Sequence, residues 1–488
     1  MSLTSSLFRK KPITSHENSD TGLRRSLSAT DLTLLGIGAV IGAGIFVLTG
    51  ISAATQAGPA IVLSFIFAGF ACGCAALSYA ELASSVGGCG SAYGYGYASL
   101  GELPAWIIGW MLLCEYMIAL PAVATGWSAY AVSGLASMGV SLPAALTAGP
   151  LDLHNPGIIN LPAALIVVVT GTLLGFGTKI STTFNAIMVL VKVAAIVLFI
   201  VIASGHVNPA NWSPFIPPAI IDANGDSHFG FGGVLAGAAT IFFAYLGFDS
   251  VATAADETRN PSRDVPIGLI GSLLICTLLY ICVAGLLTGI VHYSELNVAS
   301  PVAEGLLRIG KGWAAGLVSI GAVAGLTTAI LATYFGLTRI LLAIARDGLL
   351  PSFFGYVHPR TQTPLGAVIL SGVIMTLFAG FVPLGRLAEL ANIGTLGCFV
   401  VVCAAVMVMR KTQPDLHRPF RTPFSPLIPM LGVLSCGYLM LMLGSHTWTA
   451  FGIWMLVGIA VYFIYSRRRS RIHPSTAQLA AAAAGVVK

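Results

Sequence analysis

Two ionisable residues stand where an apolar chain can least accommodate them: Glu115 within "LLCEYMIAL" and Lys192 within "VLVKVAAIVLF". Charge in hydrocarbon is expensive, so such residues are read first as functional, with a partner, a substrate or a proton to hold. A different chemistry is offered by "GAVIGAGIF", Gly38 to Phe46, where Gly36, Gly38, Gly42 and Gly44 crowd one apolar stretch. Each glycine costs a helix interior roughly 1 kcal/mol relative to alanine. One return on that cost is close helix packing, for which Gly38 and Gly42 have the Gly-x-x-x-Gly spacing. The other is an interrupted helix, whose freed N–H groups can face an anion and whose freed carbonyls can face a cation. If the chain is built on a five-helix repeat, the sixth span should be interrupted too. It reads "ATIFFAYLGFDSVATAADE", with Gly247 in mid-span.

The elements that must position these residues are membrane spans. The 488 residues have a mean hydropathy of +0.88, are 56% hydrophobic and only 9% charged, whereas an ordinary soluble domain is about a quarter charged. Apolar runs of about 20 residues, enough to cross a bilayer, recur near 32–54, 60–83, 104–135, 158–176, 184–203, 231–255, 266–291, 314–344, 365–382, 386–409, 427–443 and 448–465. The expected fold is therefore an all-α integral membrane protein of about twelve transmembrane helices. The runs at 104–135 and 314–344 exceed the bilayer thickness, which implies tilt or kinking.

Basic residues orient the chain. Of 24 Lys and Arg, all but four fall on one side if the N-terminus is cytoplasmic; Arg308, Lys311 and Arg386 fall on the other, and Lys192 lies in a span. The positive-inside rule then puts both termini in the cytoplasm. The location expected is the plasma membrane, or the inner membrane of a bacterium, in a multi-pass arrangement. The net charge of +6 is explained by basic clusters meeting anionic lipid, without a nucleic-acid partner. Residues 1–28 lack a signal-peptide pattern. The nine cysteines, mostly within spans and without zinc-like spacing, read as small membrane hydrophobes. "AQLAAAAAGVVK" at the C-terminus is low-complexity. No metal constellation or nucleophile motif argues for an enzyme, and no cofactor is expected.

Four ordered motifs carry a family resemblance: "GAVIGAGIF", "SYAELASSVGGCGSAYGYGYASLGE" from Ser78, "FFAYLGFDSVATAADETRNPSRDVPIG" from Phe242 and "ARDGLLPSFFGYVHPRTQTP" from Ala345. Over Ser28 to Arg469 the chain resembles the amino-acid/polyamine/organocation superfamily, in the bacterial branch related to cationic amino acid transporters. The resemblance implies a LeuT-like fold: a five-plus-five inverted repeat with broken helices 1 and 6, followed by two extra helices. The corresponding divisions are a tail at 1–30, a first repeat at 31–206, a loop at 207–229, a second repeat at 230–411, helices 11 and 12 at 412–468 and a second tail at 469–488. It also implies a substrate carboxylate on the backbone N–H groups of Gly42, Ala43 and Gly44, and an ammonium near the carbonyls of Val40, Ile41, Phe243, Ala244 and Leu246. A half-helix N-terminus carries roughly half a positive charge, which suits the carboxylate of a zwitterion. Two features depart from the family. Ala43 replaces a hydroxyl residue found in some relatives, and "SVGGCGSAY" lacks a proline before its glycine pair.

By the same resemblance Lys192 points at the first broken helix, in the place where sodium-driven relatives keep an ion, which suggests proton coupling. Its alternative is a permanent strut on backbone carbonyls. Glu115, the only deep acid in this reading, has three roles open to it: a neutral acid between helices, a proton acceptor, or a contact to the substrate side chain. Phe243, Tyr245 and Phe248 are expected to wall the site beside it. Glu81, Asp256, Glu257, Arg259, Arg263, Arg346 and Asp347 form either a cytoplasmic gate of ion pairs or plain interfacial charge, and Tyr93, Tyr95 and Tyr97 an interfacial belt. The function expected is proton-coupled symport of L-amino acids, neutral ones before cationic ones, by a monomer in contact with membrane lipids. Its rivals are an amino acid exchanger, and a channel or nutrient sensor on the same scaffold.

Overall fold

The computed structural model describes residues 7–11, 27–86, 92–152, 156–177, 182–221, 227–254 and 258–471. Twelve apolar helices organise them: α1 (Ala29–Val40), α2 (Ile61–Val86), α3 (Glu102–Ser137), α4 (Leu161–Gly175), α5 (Thr182–Ser204), α6 (Gly230–Ile241), α7 (Pro261–Ile290), α8 (Gly312–Arg346), α9 (Leu365–Phe381), α10 (Leu384–Thr412), α11 (Leu427–Leu441) and α12 (Ser445–Val461). Among the described residues, eight helical stretches are long and apolar enough to cross a membrane, and four shorter apolar helices accompany them. The protein is a multi-pass membrane protein, helical among the described residues but for two antiparallel strands of two residues each, Ile220–Ile221 and Ser227–His228.

Local chemistry sets the helix limits. Ser28 and Asp31 form a reciprocal capping box that starts α1 by satisfying N–H groups no intrahelical carbonyl can reach. Asn160 caps α4, its side chain accepting from Ala163 N at 3.2 Å and from Ser128 Oγ at 2.6 Å. The two runs expected to be overlong are α3 and α8, of 36 and 35 residues. Helix α2 packs on α7, α3 on α8 and α4 on α9, while α10 lies against α3 and α11.

Two spans depart from a continuous helix. The first stops at Val40, and helical structure is next recorded from Gly44, continuing to residue 57 before Gly58, at φ +61°, turns the chain into α2. The other stops at Ile241, passes through a 3₁₀ turn at Phe242–Tyr245, takes a φ of +99° at Gly247, and makes one further turn at Ser250–Thr253. Gly247 cannot be replaced cheaply: its φ is one L residues rarely adopt, and a Cβ there would come within 3.0 Å of Ala39 O.

The tyrosines expected at the membrane surface are buried instead. Tyr93, Tyr95 and Tyr97 sit on a short helix, Ala92–Ser99, at no more than 4% exposure. The helix folds against α3 and α10, and two of the hydroxyls find acids: Tyr93 donates to Asp347, just past α8, at 2.8 Å and Tyr97 to Glu102 of α3 at 3.1 Å. Some of the charges expected near span ends do pair. Glu81, 2% exposed, accepts from Arg410 at 2.9 and 2.6 Å and from the Thr422 N–H at 2.8 Å, with Arg418 at 3.5 Å. Asp347 is reached by Lys11 at 2.9 Å. Asp256, Glu257, Cys89, the glycine pair after Val86 and the C-terminal alanine run lie outside the described residues.

Candidate substrate site

Where the two interruptions meet, backbone nearly touches backbone. A Cβ built on Gly44 would collide with the Cα, Cβ and N of Ala244, so only glycine permits this crossing. Gly42 differs: the nearest atom to a Cβ there is Val40 O, in ordinary contact at 3.9 Å, so the buried position tolerates a methyl. Ala43 is fully buried, its methyl 2.9 Å from the position a Cβ on Gly126 of α3 would take. The first N–H groups of a resumed helix have no intrahelical acceptor, and the sequence Gly42-Ala43-Gly44 offers them with little side chain to cover them.

The carbonyls on the other side of the gap already have donors. Lys192, 0% exposed, donates its ammonium to Gly38 O and to Ile41 O, the latter at 3.1 Å. Tyr280 of α7 lies 3.0 Å from Val40 O and 2.9 Å from Ala244 O, so its single proton is shared between the two interrupted spans. Phe243 O accepts from Leu246 N at 3.3 Å. Of the residues singled out in the sequence, the structure therefore brings together Val40, Ile41, Gly44, Lys192 and Ala244.

Others are placed elsewhere. Tyr245 donates to Phe65 O at 2.9 Å and packs its ring on Phe65 and Tyr280, and Phe248 packs on Tyr79 and Phe399. Both are committed to the helix scaffold, which leaves Phe243 as the aromatic beside the crossing without such a ring contact among the described residues. Glu115 is 4% exposed and sits against α10, where Gly394 approaches its backbone and Thr395 its carboxyl. It is not the only deep acid: Asp249, two residues past Gly247, is buried to 7% exposure. It follows the positive φ of Gly247, a backbone break that no periodicity in the sequence reports.

Three further residues were not legible in the sequence. Tyr280 carries no motif. Asn392 of α10 donates its amide to Ala239 O at 2.8 Å and Thr240 O at 2.9 Å, holding the end of α6. Gln56 reaches the Thr240 hydroxyl at 2.9 Å. All three act by tying one span to another, and only the packed structure shows which.

A model of a family described as amino acid permease matches residues 27–470. The chain belongs to the amino acid permease family. The permease is 48% identical over 471 residues to a methylthioribose transporter of Bacillus subtilis, covering 96% of this chain and 100% of that one. It is equally, 48%, identical over 476 residues to a branched-chain amino acid permease of Bacillus subtilis, covering 96% and 99%. A vacuolar cationic amino acid transporter 4 of Arabidopsis thaliana is 38% identical over 415 residues, covering 84% of the permease and 68% of its relative. These relatives are membrane transporters, and the permease has the apolar helices such a protein needs.

Proposed function

We propose that the permease is a secondary active transporter that takes up L-amino acids by proton-coupled symport. The observation that carries this reading is the crossing of the two interrupted spans, with Gly44 against Ala244 and an ammonium and a phenol engaged with the carbonyls around it. The substrate carboxylate would sit on the N–H groups of Gly42, Ala43 and Gly44, beside the unclashed Cβ position of Gly42. Its ammonium would share the carbonyls of Val40, Ile41, Phe243, Ala244 and Leu246, each with two lone pairs. Lys192, held by Gly38 and Ile41 when protonated, would release them on losing its proton and so link substrate to proton. Glu115 would act at the margin of this site.

The architecture fits twelve crossings, counting 29–57 and 230–253 as interrupted spans. The packing of α2 on α7, α3 on α8 and α4 on α9 supports a five-plus-five repeat at 31–206 and 230–411. By charge bias both termini are cytoplasmic, in the plasma membrane or a bacterial inner membrane, and the protein acts as a monomer. Uptake into liposomes empty of amino acid tests the reading. A proton gradient without sodium should drive accumulation, neutral amino acids ahead of arginine and lysine. Accumulation driven by sodium alone, or only exchange against internal amino acid, would refute symport with protons.

The equal likeness to a methylthioribose transporter supports a second reading, a neutral sugar thioether as cargo. Such a ligand has no carboxylate for the Gly42–Gly44 amides, so competition between methylthioribose and leucine in the same liposomes separates the two.

A further inference from the structure

The first and last described segments, 7–11 and 466–471, are fastened to the same two places. Glu102, the first residue of α3 and 2% exposed, accepts from the hydroxyls of Tyr97 at 3.1 Å, Tyr462 at 3.0 Å and Ser470 at 2.6 Å. Just before it, Gly101 takes a φ of +106° and lies against the backbone of Phe8, where a Cβ would collide. Asp347, past the end of α8, holds Lys11 through its carboxylate at 2.9 Å and the N–H of Arg471 through its carbonyl at 3.1 Å. Ser466 donates to Leu349 O at 2.6 Å, and Gly348, at φ +83°, lets the carbonyl of Arg469 pass close. The last segment is two-faced. Tyr462, Ser466 and Ser470 are each fully buried, whereas Arg468, Arg469 and Arg471 are exposed. Lys10 and Lys11 of the first segment are exposed as well.

Seven cations, at 9–11, 467–469 and 471, thus gather about Glu102 and Asp347, which supply two carboxylates. Among the described residues Lys10, Arg468 and Arg471 have no ion pair. Cations crowded in this way repel one another, and the repulsion opposes seating both segments at one place. An anionic surface removes that opposition, since each Lys or Arg near an anionic leaflet adds attraction. The position of the patch says which anion. The arginines closely follow α12, of which only Thr447 and Gly458 are buried, and Phe463 and Ile464 in between are 43% and 74% exposed. A lipid-facing helix that runs through exposed apolar side chains into arginines sets those arginines among lipid headgroups. Helix α12 keeps its own hold on α3 through Trp110 and Trp454, each indole donating to the other's carbonyl, at 2.7 and 3.0 Å. The segment beyond it is held separately. We infer that residues 466–471, with 7–11 beside them, form an anionic-phospholipid site whose occupation fastens the C-terminal segment to Glu102 and Asp347. Headgroup phosphates take the outward arginines and Lys10, while the serine and tyrosine hydroxyls seat inward. The seat in turn holds the Ala92–Ser99 helix, because Tyr97 shares Glu102 and Tyr93 donates to Asp347 at 2.8 Å. The charge of the membrane is thereby read at the ends of α3 and α8, whatever the cargo and the driving ion.

Hydrogen–deuterium exchange of the purified permease in lipid nanodiscs tests the site without any substrate. In phosphatidylcholine discs containing about a quarter phosphatidylglycerol, the amides of 466–471 and of 92–102 should both exchange at least tenfold more slowly than in phosphatidylcholine alone. Raised salt should abolish the difference, because it screens exposed charges. Lys10→Gln, Arg468→Gln and Arg471→Gln combined should leave less than a twofold difference between the two discs, and Ser470→Ala should lose protection of 466–471 in both. Equal exchange of the wild type in the two discs, or a triple variant that keeps the wild-type response, overturns the lipid site. Slowing confined to 466–471, with 92–102 unchanged, means adsorption to the bilayer without seating and overturns the fastening, as does wild-type protection in Ser470→Ala. Polyglutamate that protects both segments in phosphatidylcholine discs as well as the anionic lipid does would assign the surface to an acidic protein and overturn the choice of lipid.

Discussion

Gly44 and Ala244 are in contact so close that no side-chain atom fits between them. The two interrupted spans therefore cross through glycine and alanine, and this crossing sets what the neighbouring carbonyls and amides can reach. A substitution at Gly44 tests the crossing, while one at Gly42 tests the unclashed position beside it.

Gly42→Ala adds a methyl with no atom nearer than 3.9 Å. The variant should insert and unfold thermally like the wild type, yet raise KM at least tenfold because the methyl occupies the proposed carboxylate position. Gly44→Ala should lower thermal stability as well as transport. Equal wild-type KM in Gly42→Ala, measured by initial uptake, removes the carboxylate from this place.

Lys192→Met keeps an unbranched side chain one atom shorter and removes the ammonium from Gly38 and Ile41. Gradient-driven accumulation should disappear while exchange persists. Normal accumulation would make Lys192 a strut only.

Tyr280→Phe removes one hydroxyl shared between Val40 and Ala244. A net hydrogen bond contributes about 1 kcal/mol, so maximal transport should fall roughly five- to tenfold with little change in folding. Transport within twofold of wild type would show that the bridge does not matter.

Arg410→Ala withdraws two hydrogen bonds from buried Glu81 and leaves Arg418 at 3.5 Å. Breaking a buried pair costs about 3 to 5 kcal/mol, and the retained Arg418 should hold the loss toward the lower end. A large drop in the thermal unfolding midpoint in detergent is expected, and Glu81→Gln with Arg410 intact should cost less. An unchanged midpoint in Arg410→Ala would show that Arg418 and Thr422 suffice.

From its sequence alone the chain is a multi-pass membrane protein of a recognisable permease family, because mean hydropathy and span length are properties of composition along the chain. Gly247 in mid-span and Lys192 within the fifth span were visible for the same reason: each violates the local rule for a membrane helix. Tertiary structure alone decided which groups meet. That a methyl is excluded at Gly44 by Ala244 and tolerated at Gly42 depends on how two spans cross, and the glycines look alike in sequence. Asp249 fell within the sixth span without drawing a reading, and only the structure shows it buried just past the positive φ of Gly247. Tyr93, Tyr95 and Tyr97 matched an interfacial belt by spacing, yet all three are buried, with acids beyond α8 and on α3 accepting the hydroxyls of Tyr93 and Tyr97. Hydropathy reports the depth of a residue along one helix, and partner choice is set by contacts between helices far apart in the chain.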